Sequence, residues 1–203
     1  MMAAWLLLFA LQFTFQAKRA QIDPTLLLMM TLANYGLLRH LLRGPDWPMW
    51  CLGWFAAGLG TITKGAGLLS LLLLVPAAVA LALRWRGIGL GGWRKLWLGP
   101  AAFVVASLAW LGPLLWAVAT RDDPVLRDYL HTILFHQTVN RYTSSWDHHE
   151  PFWYQFGVVA TLWLPAALAL PWAIPAWWRR IRRGDPRYLL LLGWVAMVVL
   201  FFS

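Results

Sequence analysis

Met49–Leu83 reads MWCLGWFAAGLGTITKGAGLLSLLLLVPAAVALAL, an apolar stretch whose single charged residue is Lys64. It is well longer than the roughly 20 residues that one membrane-spanning helix needs. Cations flank it on both sides, with Arg39 and Arg43 before it and Arg84, Arg86, Arg94 and Lys95 after it. Short loops rich in Lys and Arg stay on the cytoplasmic side of a membrane, so both flanks share one side. The segment between them must then cross an even number of times. It reads as two arms, 49–63 and 65–83, that turn at Thr63-Lys64-Gly65. Arms of about fifteen and nineteen residues are at or below the usual spanning length, so the hairpin is shallow and its tip is expected beneath the outer interface. A lysine at such a place either snorkels to water or meets a ligand.

The rest of the 203 residues follows the same grammar. Hydrophobic residues make up 61% and charged residues 12%, with 16 tryptophans and a mean hydropathy of +0.60. A soluble domain carries about 25% charged residues, so the composition describes an all-α, polytopic membrane bundle. Apolar runs near 2–16, 24–42, 49–63, 65–83, 96–119, 152–178 and 188–203 give about seven spans in a single transmembrane domain covering 1–203. The first run lacks a basic start, and Lys18 and Arg19 follow it, so it reads as a span rather than a signal peptide. Both ends of the chain are apolar and look cut, which points to a fragment. Cys51, the single cysteine, excludes an intramolecular disulfide and packs within an apolar run.

Charge then sorts the joints. Arg39, Arg43, Arg84, Arg86, Arg94, Lys95, Arg179, Arg180, Arg182, Arg183 and Arg187 fall on the inner side with two acids, Asp46 and Asp185. Lys18, Arg19, Lys64, Arg121, Arg127 and Arg141 fall outside with six acids. The net charge of +9 is therefore a topology signal in short clusters rather than a nucleic-acid surface.

The outer side also carries the longest polar segment, 120–151, in which 123–138 has the spacing of an interfacial amphipathic helix. It contains His131, His136, Arg141, Asp147, His148, His149 and Glu150. Adjacent loop histidines are a weak metal pattern, and surface polarity explains them as well. Arg141 is a permanently charged fork suited to a phosphate, although a lone loop arginine is also commonly solvated. Asp23 precedes Pro24 at the start of the second span, where a helix cap is the plain reading. What sets Asp23, Lys64 and Arg141 apart is that topology delivers all three to one face.

Ala20-Gln21-Ile22-Asp23-Pro24, Gly60-Thr61-Ile62-Thr63-Lys64-Gly65, Asn140-Arg141-Tyr142 and His149-Glu150-Pro151-Phe152-Trp153-Tyr154 stand in an order and spacing that resemble the family 39 glycosyltransferases. That family includes protein O-mannosyltransferases and, more similar here, bacterial transferases that move aminoarabinose from undecaprenyl phosphate to lipid A. The resemblance implies a GT-C-like multi-pass fold in the bacterial inner membrane with a periplasmic active face. It implies a polyprenyl-phosphate-linked sugar donor, a lipid or protein acceptor and contact with membrane lipids. By the same resemblance Asp23 matches an acidic position beside the active site, Lys64 the lysine near the lipid phosphate, and Arg141 the arginine of the loop motif. A divalent metal ion is the cofactor implied. The family's metal-binding histidine position holds Thr138 here, which leaves His136 as the candidate ligand. The acidic Asp-Glu loop of relatives and the segment that continues after their last matched span have no counterpart, so the 203-residue chain alone is expected to be inactive. A transporter or lipid flippase with an Asp23–Lys64 ion pair, or a non-catalytic membrane subunit, is the competing class. It would place charges near the midplane and give the halves some symmetry.

Overall fold

The computed structural model describes residues 23–121, 123–132 and 154–201. The described residues form helices and connecting turns, with no strand among them. The first helix, α1, runs Asp23–Arg43 and α2 runs Trp47–Lys64. After Gly65 a 3-10 segment, Ala66–Leu73, leads into α3, Leu74–Ala82. Then come α4, Leu98–Thr120, and α5, Pro124–His131. The last three are α6, Tyr154–Leu162, α7, Leu170–Arg182, and α8, Pro186–Phe201. By length and composition two helical stretches, Pro24–Arg43 and Trp93–Thr120, suffice to cross a membrane. The hairpin's return arm, Ala66–Ala82, and α8 are apolar but shorter. The expected first span, 2–16, lies outside the described residues.

The hairpin forms where the charge pattern requires it. Gly65 takes a φ of 78°, a left-handed value that favours glycine, and its N–H closes on the Thr61 carbonyl at 2.7 Å. The return arm begins as a tighter coil. Pro76 has no N–H to offer the Leu72 carbonyl, and Leu74 instead reaches back to Leu71 and Leu72. Trp194 of α8 donates its indole N–H to the Leu69 carbonyl at 2.8 Å, which fixes α8 against this arm.

Helices α1 and α2 are antiparallel and meet backbone to backbone. A side chain on Gly36 would run into Met49 and Gly53, and one on Gly53 into Ala33 and Leu37. Small residues allow such close approach, which maximises packing where lipid offers no hydrophobic drive. The buried cluster Leu37, Leu41, Trp50, Leu73, Ala77, Ala80 and Leu190 draws on α1, α2, the return arm and α8. Leu37, Leu73 and Leu190 are fully buried.

Three cationic joints gather at one end of this bundle. The Gly89 N–H bonds the Leu41 carbonyl at 3.0 Å, joining the second joint to the first. Pro186 lies beside Gly87, and Trp85 beside Gly184, joining the third to the second. His40, fully buried, is the rivet. Its Nε2–H donates to the Leu90 carbonyl at 3.1 Å, and its Nδ1 accepts the Asp46 N–H at 3.1 Å. The rings of Trp47 and Trp50 enclose it at 4.9 and 4.8 Å. Asp46 caps α2 through the Met49 N–H and also holds Arg39 at 2.9 Å.

The expected run 152–178 is a broken element rather than one helix. It stops at Leu162, passes the Leu164–Pro165 peptide, makes a short 3-10 turn at Ala166–Ala169 and resumes at Leu170. Pro165 withholds its N–H where the helix stops, and Pro171 fits the first turn of the helix that resumes. The amphipathic helix expected over 123–138 is present at Pro124–His131, with the Asp123 carboxylate accepting the Val125 N–H at 2.9 Å. The described residues end at 132 on that side, so its expected continuation is outside them.

Candidate functional site

The far end of the bundle, opposite the cationic joints, receives the candidate residues. Asp23 is the first residue of α1 and Lys64 the last of α2. The register between these two helices is regular. Gly36 faces Met49 and Gly53, and further along Gly60 faces Leu26 and Met29. One turn beyond Gly60 the same register arrives at Lys64 on α2 and at Asp23 and Pro24 on α1. The two chain positions are therefore level with each other at one end of adjacent helices.

Glycines make this end possible. A side chain on Gly67 would collide with the backbone of Ala57, Gly60 and Thr61, so the return arm lies directly on α2. Gly60 has Gly67 on one side and Met29 on the other. Thr61 returns its hydroxyl to the Ala57 carbonyl at 2.8 Å, and Thr63 to Gly60 at 2.7 Å. Both threonines of the turn thus satisfy their own helix, where unpaired polar atoms are costly. Lys64 is the residue of the turn with charge to offer.

Depth follows from α4, which runs parallel to α2. Trp50 donates to the Leu96 carbonyl, Trp54 lies on Gly99, and Gly58 on Phe103 and Ala106. This constant offset puts Lys64 level with Trp110. Helix α4 continues ten residues further to Thr120, or about 15 Å at 1.5 Å per residue. The hairpin tip sits well below the end of its neighbour, as the short arms led one to expect.

Of the remaining candidates, Arg141 and His136 lie outside the described residues, as do His148 and His149. Among the described residues no three His, Cys, Asp or Glu side chains come together to hold a metal ion. The metal expectation therefore rests on His136 alone. The sequence carries no local signal for His40, whose partners Asp46 and Leu90 lie in separate joints. Sequence reading missed Gly67, although a glycine two residues past a hairpin turn is a signal of close backbone approach.

Comparison with known proteins finds relatives over most of the chain. The chain is 39% identical over 169 residues, 81% of its length, to an undecaprenyl phosphate-alpha-4-amino-4-deoxy-L-arabinose arabinosyl transferase of Sodalis glossinidius. The chain is homologous to part of these transferases. The homologue in Pectobacterium carotovorum is 33% identical over 90% of the chain, and that of Pseudomonas aeruginosa 30% identical over 93%. The matches cover 27%, 31% and 33% of these three relatives, so the chain spans about a third of their length. No family model and no solved structure matches the chain. The resemblance to the family 39 glycosyltransferases, read from four short motifs, thus holds across most of the sequence.

Proposed function

We propose that this chain forms part of a bacterial inner-membrane glycosyltransferase that takes a sugar from a polyprenyl-phosphate donor at the periplasmic face. The observation that carries the reading is the convergence of Asp23 and Lys64 at the end of the bundle opposite the cationic joints. With those joints cytoplasmic, that end is periplasmic. About seven spans would bring the 120–151 loop to the same face.

The chemistry suits the residues. When the bond between the anomeric carbon and the phosphate oxygen breaks, the departing polyprenyl phosphate carries negative charge. On this reading Lys64, below the outer interface, and Arg141, from the loop, would stabilise that charge in a medium where it is poorly screened. On the same reading Asp23 would take the proton of the attacking acceptor hydroxyl or orient an acceptor phosphate. The three relatives are aminoarabinose transferases by name, which favours lipid A over a protein as acceptor. A divalent ion on His136 would add a further cation near the departing phosphate.

The test uses the full gene product in membranes, supplied with a polyprenyl-phosphate-linked aminoarabinose and lipid A. Lys64→Met is expected to lower the transfer rate by about 10²–10³-fold, the size seen when one transition-state charge partner is removed, while leaving the amount of folded protein unchanged. Asp23→Asn is expected to do the same. Near-native transfer by both variants would refute the assignment.

A further inference from the structure

We infer that a second lipid site lies at the cationic end, where an open groove holds an acyl chain of an anionic phospholipid and Arg94 and Lys95 hold its phosphate. This inference does not depend on the transferase reading.

The groove has a volume of about 350 Å³ and lies between α2, α3 and the start of α4. Trp50, Trp54, Ala78, Leu81, Leu96 and Trp97 line it, and nearly all its wall is apolar. Such a wall offers nothing to a soluble anion and suits a hydrocarbon chain. The volume is within the roughly 300–1,000 Å³ of small-molecule sites.

The chain that lines the groove also supplies its rim. Leu96 and Trp97 follow directly on Arg94 and Lys95, and Leu81 lies three residues before Arg84. Trp93 and Trp97 are 78% and 63% exposed, and Leu83 is 61% exposed, as residues at a membrane boundary are. Arg94 lies over the Trp93 ring at 6.0 Å and Lys95 over the Trp47 ring at 5.9 Å. Aromatic faces therefore hold these cations in place without neutralising them.

Charge decides the headgroup. The two acids of this end are already engaged, Asp46 with Arg39 at 2.9 Å and Asp185 with Arg187 at 3.7 Å. A rim with cations and no carboxylate of its own selects a headgroup with net negative charge over a zwitterion. An apolar wall and a cationic edge together describe an anionic lipid and suit no water-soluble anion.

The experiment is native mass spectrometry of the purified protein in detergent, titrated with an equal mixture of phosphatidylglycerol and phosphatidylcholine bearing the same acyl chains. Phosphatidylglycerol adducts are expected to exceed phosphatidylcholine adducts about tenfold. Arg94→Gln with Lys95→Gln, both on the exposed rim, should bring the ratio near one. Ala78→Phe should fill the groove and lower adducts of both lipids. Equal retention by the unaltered protein, a preference that survives the double substitution, or no adduct of either lipid would each overturn the inference. The last outcome would mean that protein covers the groove.

Discussion

The two ends of the bundle are held together by different physics. At the cationic end the joints are tied by directional bonds, with His40 spanning Asp46 and Leu90, Asp46 capping α2, and Trp50 donating to Leu96. At the opposite end close packing leads among the described residues, with Gly60 and Gly67 letting backbones touch and two threonine hydroxyls folded back on their own helix. The first end spends its polar groups on structure. The second brings the backbones of Asp23 and Lys64 to one level at the ends of adjacent helices.

This contrast predicts a graded set of outcomes. Gly67→Val strikes the contact-held end hardest, because its branched side chain would have to occupy the backbone of α2. A loss of about 3 kcal/mol or more is expected for such overpacking, seen as a collapse of the melting temperature in detergent together with loss of transfer. A variant that melts normally would show that the return arm does not rest on α2.

His40→Ala strikes the bonded end. It removes two hydrogen bonds and the ring between Trp47 and Trp50, and it leaves the Asp46 N–H and Leu90 carbonyl without their partner. A cost of about 2–4 kcal/mol is expected from the unmet polar groups and the cavity. Thermal unfolding should register it, while the transfer rate per folded molecule stays unchanged. A fall in that rate would mean that the two ends are coupled.

Arg39→Gln is the smallest test. The Arg39–Asp46 pair is part-exposed, with 38% and 28% of the two side chains accessible, and pairs of that kind contribute little. The melting temperature should stay within the error of measurement. A clear drop would promote the pair to a structural role equal to that of His40.

Much of the fold was legible because membranes punish misplaced charge. The cationic joints, the even number of crossings between them and the turn at Lys64 all follow from that one penalty, and the structure places the turn at Gly65 as expected. Proline-rich 152–178 was legible as apolar but not as broken. Composition records that prolines are present, whereas the break depends on where along the helix each one stands. The pairing of Asp23 with Lys64 was legible only as a shared side of the membrane. Their common level depends on glycine contacts between separate helices, and spacing along one chain does not carry that information. His40 was illegible for the same reason, since its meaning lies in the Leu90 carbonyl fifty residues away.

The stagger between α2 and α4 sets how a substrate would arrive. On the proposed reading, a hairpin tip about 15 Å beneath the neighbouring helix end is approached sideways through the bilayer before it is approached from the water above. A polyprenyl-phosphate donor of the kind proposed would reach it by lateral drift and need to lower only its head. Encounter then becomes a search in two dimensions, governed by donor molecules per unit area of membrane and by the viscosity of the lipid.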